Sequence, residues 1–205
     1  MYLAYSPFWL RWYYQNLIWH KNRKEKCIYL TFDDGPIPVV TPWVLKILKE
    51  FNVKATFFCI GDNVQKHTEI YNQIKTEGHS IGNHTFNHLK GWKTTDNIYL
   101  ENFGHCEKLV KSNLFRPPYG RIKKSQIAKL KLLNPEIEII MWDVLSGDFD
   151  VNLSPEGCLK NVLKYTRNGS IIVFHDSLKA YNRLEYALPQ AIKLLKEKGY
   201  KFLPL

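Results

Sequence analysis

The sequence predicts an α/β fold built on a mostly parallel β-sheet, either open or closed into a barrel. Short apolar runs rich in β-branched and aromatic residues alternate with segments of helical periodicity. This alternation implies right-handed β-α crossovers, which make neighbouring strands parallel. The chain has 205 residues, of which 45% are hydrophobic, enough for one domain with a full core.

The predicted elements follow one another through short connections. The first strand, 27–32, ends at the turn sequence Asp33-Asp34-Gly35-Pro36, and the first helix, 41–51, has Thr41 as its expected N-cap. Thr95 and Ser154 are the expected N-caps of two later helices. The other predicted strands are 53–60, 79–81, 137–142, 170–174 and 201–203, and the other helices are 69–77, 95–112, 125–133, 155–166 and 183–198.

Residues 1–26 form an N-terminal arm that differs in composition from the domain 27–205. The arm is rich in aromatic residues up to His20 and basic from Lys21 to Lys26. It either packs on the domain or lies on a membrane surface, and the composition does not choose between the two. Neither a signal peptide nor an apolar membrane span is found, so we expect a cytoplasmic or membrane-peripheral protein.

The chain is basic, with a formal net charge of +10 from 29 Lys and Arg against 19 Asp and Glu. This balance favours anionic partners, but the charges are scattered and no helix-turn-helix or zinc-finger spacing accompanies them. We therefore expect no nucleic-acid partner. The four cysteines are far apart, and we expect reduced thiols, with Cys27 and Cys59 acting as small buried apolar residues.

Residues capable of catalysis are concentrated directly after the predicted strands. In barrels and α/β sheets, sites are built at this carboxyl edge. The sequence therefore predicts one site that collects Asp33, Asp34, His84, His88, Asp143, Asp148, His175 and Asp176.

Asp33 and Asp34 are adjacent carboxylates that repel each other unless a cation, an arginine or solvent stabilises them. Asp-Asp-Gly is also a common turn sequence, so a purely structural interpretation stays open. His84 and His88 have a spacing that, in a helical turn, places both imidazoles on one face, where they can chelate one metal ion. Two ordinary histidines are the alternative. With a carboxylate, the pair makes a three-ligand site that keeps positions open for water.

Two further segments carry groups that can act in catalysis. The prolines of Arg116-Pro117-Pro118-Tyr119-Gly120 fix the directions of the Arg116 side chain and of the Tyr119 backbone N–H, which can serve an oxyanion. His175 can act as a general acid, and Asp148 can orient it and stabilise its charge. A plain turn and a structural histidine are the respective alternatives.

Taken together and in this order, these segments resemble the five motifs of the polysaccharide deacetylases of carbohydrate esterase family four, the group that shares the chitooligosaccharide deacetylase homology domain. The resemblance covers about residues 27–205 and implies a distorted (β/α) barrel with fewer than eight regular repeats. The matching segments are Thr31-Phe32-Asp33-Asp34-Gly35-Pro36, His84-Thr85-x-x-His88, Arg116-x-Pro118-Tyr119, Trp142 to Asp148, and Val173-Phe174-His175.

The resemblance also implies roles for these residues. Asp34, His84 and His88 would hold a divalent metal, Zn²⁺ first and Co²⁺ or Ni²⁺ as alternatives. Asp33 would be the general base, kept ionised and oriented by Arg116. The remaining roles are an oxyanion contact from the Tyr119 N–H, general acid catalysis by His175 tuned by Asp148, and substrate contacts from Pro118, Tyr119, Trp142, Phe149 and Val173.

The function implied is metal-dependent hydrolysis of N-acetyl groups, in second place O-acetyl groups, from a glycan such as N-acetylglucosamine oligomers or peptidoglycan. The enzyme class is that of hydrolases acting on carbon-nitrogen bonds other than peptide bonds. Phe149 stands where many members have Trp, Leu145 where an acidic residue is frequent, and Val173 where Leu is common. These departures bear on sugar contacts, not on hydrolysis. The alternatives are a lipid-linked amino sugar or small amide as substrate, with membrane contact through the arm, and a glycan-binding module without catalysis.

Overall fold

A computed structural model describes residues 3–205 and contains eight strands and eight α-helices in that range. The strands are β1 (Cys27–Asp33), β2 (Thr56–Cys59), β3 (Ser80–Asn83), β4 (Leu114–Phe115), β5 (Glu138–Ile139), β6 (Val144–Leu145), β7 (Ile171–His175) and β8 (Lys201–Phe202). The helices are α1 (Phe8–Tyr13), α2 (Val40–Glu50), α3 (Gly61–Lys66), α4 (Thr68–Thr76), α5 (Asp96–Val110), α6 (Lys124–Leu133), α7 (Pro155–Tyr165) and α8 (Tyr181–Glu197).

The strands form one curved parallel sheet in the order β5-β4-β3-β2-β1-β7-β6. β8 pairs with the beginning of β1, below the point where β2 joins it. All seven strand pairs with a register are parallel, as β-α crossovers require. The sheet and its helices make a distorted (β/α) barrel with fewer than eight regular units, which confirms the predicted fold class.

The central strand β1 is buried along nearly its whole length because it lies between β2 and β7 and beneath the helices. The outward side chains Ile28, Leu30 and Phe32 have no exposed surface and pack in the main core with α2 and α8. The alternate side chains Tyr29, Thr31 and Asp33 face the barrel interior, in keeping with the period of two along a strand. This alternation delivers Asp33 to the site.

The N-terminal arm fills the gap between the two edges of the sheet. Tyr5 pairs with Val144 of β6, and the Leu145 N–H donates to Ala4 O at 2.9 Å. Farther along the arm, Ile18 pairs with Ile140 beyond the end of β5, and His20 pairs with Ser170 at the start of β7. The arm therefore contacts both edges of the sheet and covers backbone groups that an open barrel would leave unpaired. Between these contacts, α1 stands out from the surface.

The strand predicted over 137–142 is wrong in its extent, and this changes the position of Asp143. Only Glu138–Ile139 is a strand, and a second one, β6, starts at Val144. Asp143 therefore precedes a strand, with its N–H bonded to Ile171 O at the start of β7. It lies at the opposite end of the sheet from the predicted site.

Thr41 is inside α2 instead of capping it. The residue at the N-cap is Val39, in the left-handed region at φ 69°. Thr41 Oγ1 accepts the Ile37 N–H at 2.9 Å and donates to Asp176 Oδ2 at 2.5 Å. Ser154 caps α7 as predicted, since its Oγ accepts the Gly157 N–H at 3.1 Å. Thr95 occupies the predicted N-cap position of α5 but makes no side-chain capping bond.

Cys27 and Cys59 are buried as predicted, and the other two cysteines are buried as well. Within residues 3–205, no helix is both long enough and apolar enough to cross a bilayer.

Candidate metal centre and active site

The site is built where parallel strands end on one side of the barrel. Asp33 is the last residue of β1 and lies in register with His175, the last residue of β7. His84 directly follows β3, and Arg116 directly follows β4. Since adjacent parallel strands end at the same edge, four segments distant in sequence deliver side chains to one place.

Asp34, His84 and His88 form a cluster whose ligand atoms all lie within 4.8 Å of one another. Asp34 Oδ1 is 3.8 Å from His84 Nε2 and 3.2 Å from His88 Nε2. The two imidazole ring centroids are 5.0 Å apart. One carboxylate and two imidazoles are a ligand set that suits zinc and related divalent ions.

Two buried atoms of this cluster have no hydrogen-bond partner within the described residues, His84 Nε2 and Asp34 Oδ1. His84 Nδ1 donates to Arg116 O at 2.7 Å, and this bond leaves the Nε2 lone pair for another ligand. Burial lowers the pKa of His84, against the raising effect of Asp33 and Asp34, so the ring is neutral at pH 7. Unpaired buried polar atoms are costly, and a cation at this point would satisfy both. The residues present therefore fit a divalent metal.

The pKa of His88, like that of His84, is lowered, so its ring is also neutral at pH 7. Burial is the main cause that lowers its pKa to about 4, and the neighbouring His84 lowers it further. A neutral imidazole is the form that binds metal.

The histidine pair is not held in a helical turn, the geometry in which its i, i+4 spacing would place both rings on one face. Residues 84–88 are irregular, and Thr85 and His88 lie in the left-handed region at φ 62° and 55°. The turn is held by Asn83 Oδ1, which accepts the Thr85 N–H at 2.8 Å, and by Thr85 Oγ1, which accepts the Leu89 N–H at 3.2 Å. Asp34 is also left-handed, at φ 84°. Backbone strain of this kind is typical of functional sites.

Asp33 and Arg116 form a buried ion pair beside the cluster. Arg116 Nη1 donates to Asp33 Oδ1 at 2.7 Å and to Thr31 Oγ1 at 2.7 Å, while Nη2 donates to Met141 O at 3.0 Å. Burial alone would raise the pKa of Asp33, but the charge of Arg116 and its hydrogen bond to the carboxylate lower it overall, together with the charge of His175. Asp33 is therefore ionised, and its second oxygen, Oδ2, lies 4.0 Å from His84 Nε2.

His175 and Asp148 form the second pair at the site. Asp148 Oδ1 is 2.7 Å from His175 Nδ1, and Asp148 Oδ2 accepts the His175 backbone N–H at 2.6 Å. Burial favours the neutral imidazole, but Asp148 outweighs it and raises the pKa of His175 to about 10. His175 is thus protonated at neutral pH, and its Nδ1 is bound to Asp148, so the second N–H of the ring, on Nε2, is not used by that bond.

The predicted substrate contacts surround these groups. The exposed ring of Tyr119 lies 4.5 Å from the ring of His88, and Tyr119 is left-handed at φ 59°. Phe149 packs edge-on against the His175 ring at 5.3 Å. The ring of Trp142 packs closely against Gly120 of the segment 116–120, since a Cβ on that glycine would come within 2.5 Å of the ring. Pro118 and Val173 are buried.

Residues 20–136 match the family model described as polysaccharide deacetylase. The chain belongs to the polysaccharide deacetylase family. Among curated relatives, it is 36% identical to a peptidoglycan-N-acetylglucosamine deacetylase of Bacillus cereus, over 90% of this chain and 88% of that protein. It is 34% identical to the peptidoglycan-N-acetylmuramic acid deacetylase PdaA of Bacillus subtilis, over 88% and 70%.

Solved structures lead to the same family. The crystal structure of the Bc1960 peptidoglycan N-acetylglucosamine deacetylase, in complex with 4-naphthalen-1-yl-N-oxidanyl-benzamide, superposes with a TM-score of 0.84. The two are 33% identical, with 92% of this chain and 90% of that chain covered. The polysaccharide deacetylase described here is therefore a hydrolase of carbon-nitrogen bonds other than peptide bonds, and a glycan deacetylase by family.

Three residues support the site of this polysaccharide deacetylase without having been assigned a role from the sequence. Thr31 holds Arg116, and its position two residues before Asp33 on a strand could have indicated this. Asp176 is buried, accepts the Gly35 N–H at 3.1 Å, and thereby fixes the turn that contains Asp34. Arg183 Nε donates to Asp148 O at 2.6 Å, a contact from a distant helix that no local pattern predicts.

Proposed function

We propose that this protein is a metal-dependent hydrolase that removes N-acetyl groups from a glycan, with N-acetylglucosamine oligomers or peptidoglycan as substrates. One observation carries the proposal. The ligand atoms of Asp34, His84 and His88 converge within 4.8 Å, and two of them, Asp34 Oδ1 and His84 Nε2, are buried without a hydrogen-bond partner among the described residues. An ionised carboxylate, Asp33, and a protonated histidine, His175, lie beside them.

The metal would be held by Asp34, His84 and His88, with Zn²⁺ as the first choice and Co²⁺ or Ni²⁺ as alternatives. A divalent ion bound there supplies Lewis acidity, which polarises an acetyl carbonyl and makes water acidic enough to react near neutral pH. Two neutral imidazoles and one carboxylate leave coordination positions open, in the manner of catalytic zinc sites.

Asp33 would be the general base. Its Oδ1 is bound by Arg116 at 2.7 Å, so Oδ2 is the atom available to take a proton from the attacking water. Arg116 keeps the carboxylate ionised and fixes its orientation, and Thr31 in turn fixes Arg116. A positioned base of this kind contributes about 10²–10⁴ in rate.

His175 would be the general acid. Asp148 binds its Nδ1, so the proton on Nε2 can pass to the leaving nitrogen when the tetrahedral intermediate collapses. An amine is a poor leaving group until it is protonated, which suits N-deacetylation better than O-deacetylation. The backbone N–H of Tyr119 would donate to the oxyanion. Pro118, Trp142, Phe149 and Val173 would shape the acetyl pocket and its rim.

Acetate release tests this function. The substrates are N-acetylglucosamine oligomers, peptidoglycan and O-acetylated xylan, each assayed after EDTA treatment and again after zinc is added back. We expect release from the N-acetylated glycans, loss with EDTA and recovery with zinc. Release that survives complete metal removal would contradict the metal role. Stoichiometric zinc binding without turnover on any acetylated glycan would favour a non-catalytic glycan-binding module.

A second candidate substrate is an amino sugar or small amide presented on a lipid. We propose residues 1–26 as an arm appended to the catalytic domain 27–205, and the helix α1 of this arm exposes Phe8 and Trp12 at 76% and 74% of their surfaces. Aromatic residues beside basic ones are typical of membrane interfaces.

Liposome pelleting of the 205-residue chain and of its double variant Phe8→Ser, Trp12→Ser tests the membrane contact. These point substitutions are preferable to removing the arm, because the arm also pairs with both sheet edges. Equal pelleting of the two proteins would exclude α1 as a membrane contact.

A further inference from the structure

We propose that this protein binds a carboxylate-bearing glycan along a surface that leads away from the metal centre. This inference rests on the proposed function, since it names the class of glycan brought to that site. The surface, which we term the cationic strip, follows residues 119–124 and consists of Lys90, Tyr119, Arg121, Trp92, Lys124 and Tyr13.

Three cation-ring pairs succeed one another along this short segment. Lys90 Nζ lies 4.7 Å from the ring centroid of Tyr119. The Arg121 guanidinium carbon lies 4.2 Å from the Trp92 ring, and Lys124 Nζ lies 3.9 Å from the Tyr13 ring. The three rings come from three different parts of the chain, so only the folded chain brings them beside residues 119–124.

The strip begins at the metal centre. The Tyr119 ring contacts the His88 ring at 4.5 Å, and Lys90 lies on that same tyrosine ring. From there the backbone at Arg121 and Lys123 is extended. Five peptide units span at most about 17 Å, so the strip can accompany a few neighbouring sugars of a chain whose acetyl group is at the metal centre.

The rings are available for contact with sugars. Tyr119, Trp92 and Tyr13 have 56%, 49% and 54% of their surfaces exposed. Each is a large flat apolar surface of the kind on which the C–H faces of pyranose rings stack. A glycan lying on them would leave its substituents beside the neighbouring cations.

The positive charges of the strip are not neutralised by carboxylates. Within residues 3–205, Lys90, Arg121 and Lys124 have ring contacts and are absent from the ion pairs. Asp96 approaches the same segment through Ser125 at 3.2 Å, but it is bound by Lys129 at 3.1 Å. Arginine and lysine with unused donors are the residues that recognise carboxylate groups.

The segment is rigid before any ligand binds. The Gly91 N–H donates to Arg121 O at 3.0 Å, and Trp92 Nε1 donates to Ile122 O at 3.0 Å. Gln126 joins the two loops, since its Nε2 donates to Gly91 O at 3.1 Å. A preformed surface loses little conformational entropy on binding, which favours a binding role over a mobile loop.

Two soluble tetrasaccharides test the proposal because they differ in charge but not in length. One is the N-acetylglucosamine tetramer, which is neutral, and the other alternates N-acetylglucosamine with N-acetylmuramic acid, which carries carboxylates. Dissociation constants are measured for the wild type, for Arg121→Gln, for Lys90→Gln and for the control Lys193→Gln. Lys193 is an exposed lysine of α8, a helix outside the strip, so its replacement removes one charge with no local effect.

We expect the wild type to bind the acidic tetrasaccharide more tightly. Arg121→Gln and Lys90→Gln should each reduce the ratio of the two affinities about five- to tenfold, while Lys193→Gln leaves it unchanged. Trp92→Ala should weaken both glycans together, and circular dichroism verifies that each variant is folded. An unchanged ratio in both charge variants, or an equal loss in Lys193→Gln, would overturn the proposal.

Binding and turnover are read separately, so failure of the two proposals can be told apart. Selective binding that depends on Arg121, without acetate release, refutes the hydrolase but keeps the strip. Acetate release with equal affinity for the two tetrasaccharides refutes the strip but keeps the hydrolase. If the variants lose affinity for anionic vesicles but not for the acidic glycan, the strip recognises a lipid surface and the glycan proposal is wrong.

Discussion

Asp33 and Asp34 are neighbours in the chain, yet the fold gives them different surroundings. Asp33 is 4% exposed and bound by Arg116, whereas Asp34 adopts φ 84° and turns its carboxylate toward His84 and His88. A carboxylate held by an arginine is ionised and fixed, which suits a base. One that faces two neutral imidazoles suits a metal ligand.

This division of roles predicts different outcomes for two substitutions. Asp33→Asn should reduce acetate release at least about 10²-fold and leave the bound zinc unchanged, because the amide keeps the shape but cannot take a proton. His84→Ala should lose both metal and turnover. Metal content by elemental analysis, measured beside activity, distinguishes them. Full activity in Asp33→Asn would refute the base assignment.

The contact between Asp148 and His175 predicts how the activity depends on pH. His175 has a pKa raised to about 10, chiefly by Asp148 acting against burial. Asp148→Asn keeps a hydrogen-bond acceptor but removes the charge, so the pKa of His175 falls and the histidine loses its proton at lower pH. The alkaline limb of the pH profile of kcat should therefore move to lower pH, with reduced kcat. A lower kcat with an unmoved limb would mean that Asp148 is only structural.

At the scale of elements, the arm shows how a segment without a clear pattern completes a barrel. Its two stretches of pairing, around Tyr5 and around Ile18, lie on opposite edges of the sheet. Asp143 ties them to the domain, since Arg11 approaches it at 3.5 Å and Arg23 at 2.8 Å. Ser170 Oγ donates to the same carboxylate at 2.7 Å.

Asp143→Ala should therefore lower the free energy of unfolding by about 3 kcal/mol, because it removes the buried carboxylate that pairs with the partly buried Arg11 and Arg23. Trypsin should also cleave the arm faster at Arg11 and Arg23. Glu50→Ala is the control, since it removes an exposed pair with Lys46 at 3.8 Å, and such pairs are worth about 0.5 kcal/mol. Equal losses in the two variants would show that Asp143 does not hold the arm.

The histidine loop is the element that local patterns described least well. The spacing of His84 and His88 would place both rings on one face in a helical turn, but left-handed residues at Thr85 and His88 bring the rings together instead. The left-handed backbone is sterically unfavourable for residues other than glycine and is maintained only by its surroundings. The spacing of the two histidines therefore indicated that their rings lie close together, but it did not indicate the left-handed backbone that brings them there.

At the scale of the whole molecule, acid should destabilise the fold. His79 is 7% exposed, and its Nδ1 accepts the Ala55 N–H at 3.2 Å. Burial lowers its pKa to about 4. The unfolded chain, with a histidine pKa of about 6.5, binds this proton first, so stability falls as the pH drops from about 6.5 toward 4.

His79→Asn tests this prediction, because asparagine retains an acceptor for Ala55 but does not titrate. Between pH 7 and 4.5 the wild type should lose about 2 kcal/mol more unfolding free energy than the variant. His84 and His88, whose pKa values are also lowered, act in the same direction in both proteins and cancel in the comparison. An equal loss of unfolding free energy in the wild type and in His79→Asn would show that protonation of His79 does not cause the loss of stability in acid.

The sequence by itself determined the parallel α/β class, the strand ends that carry Asp33, His84 and His175, and the family. These follow from periodicity and from short motifs, which are local properties of the chain. It did not determine that the arm pairs with both sheet edges, that Asp143 lies at the far end, or which groups Asp176 and Arg183 hold in place. Those facts depend on contacts between residues distant in sequence, 35 positions apart for Arg183 and Asp148 and more than a hundred for the arm and for Asp176. Only the folded chain brings such groups together.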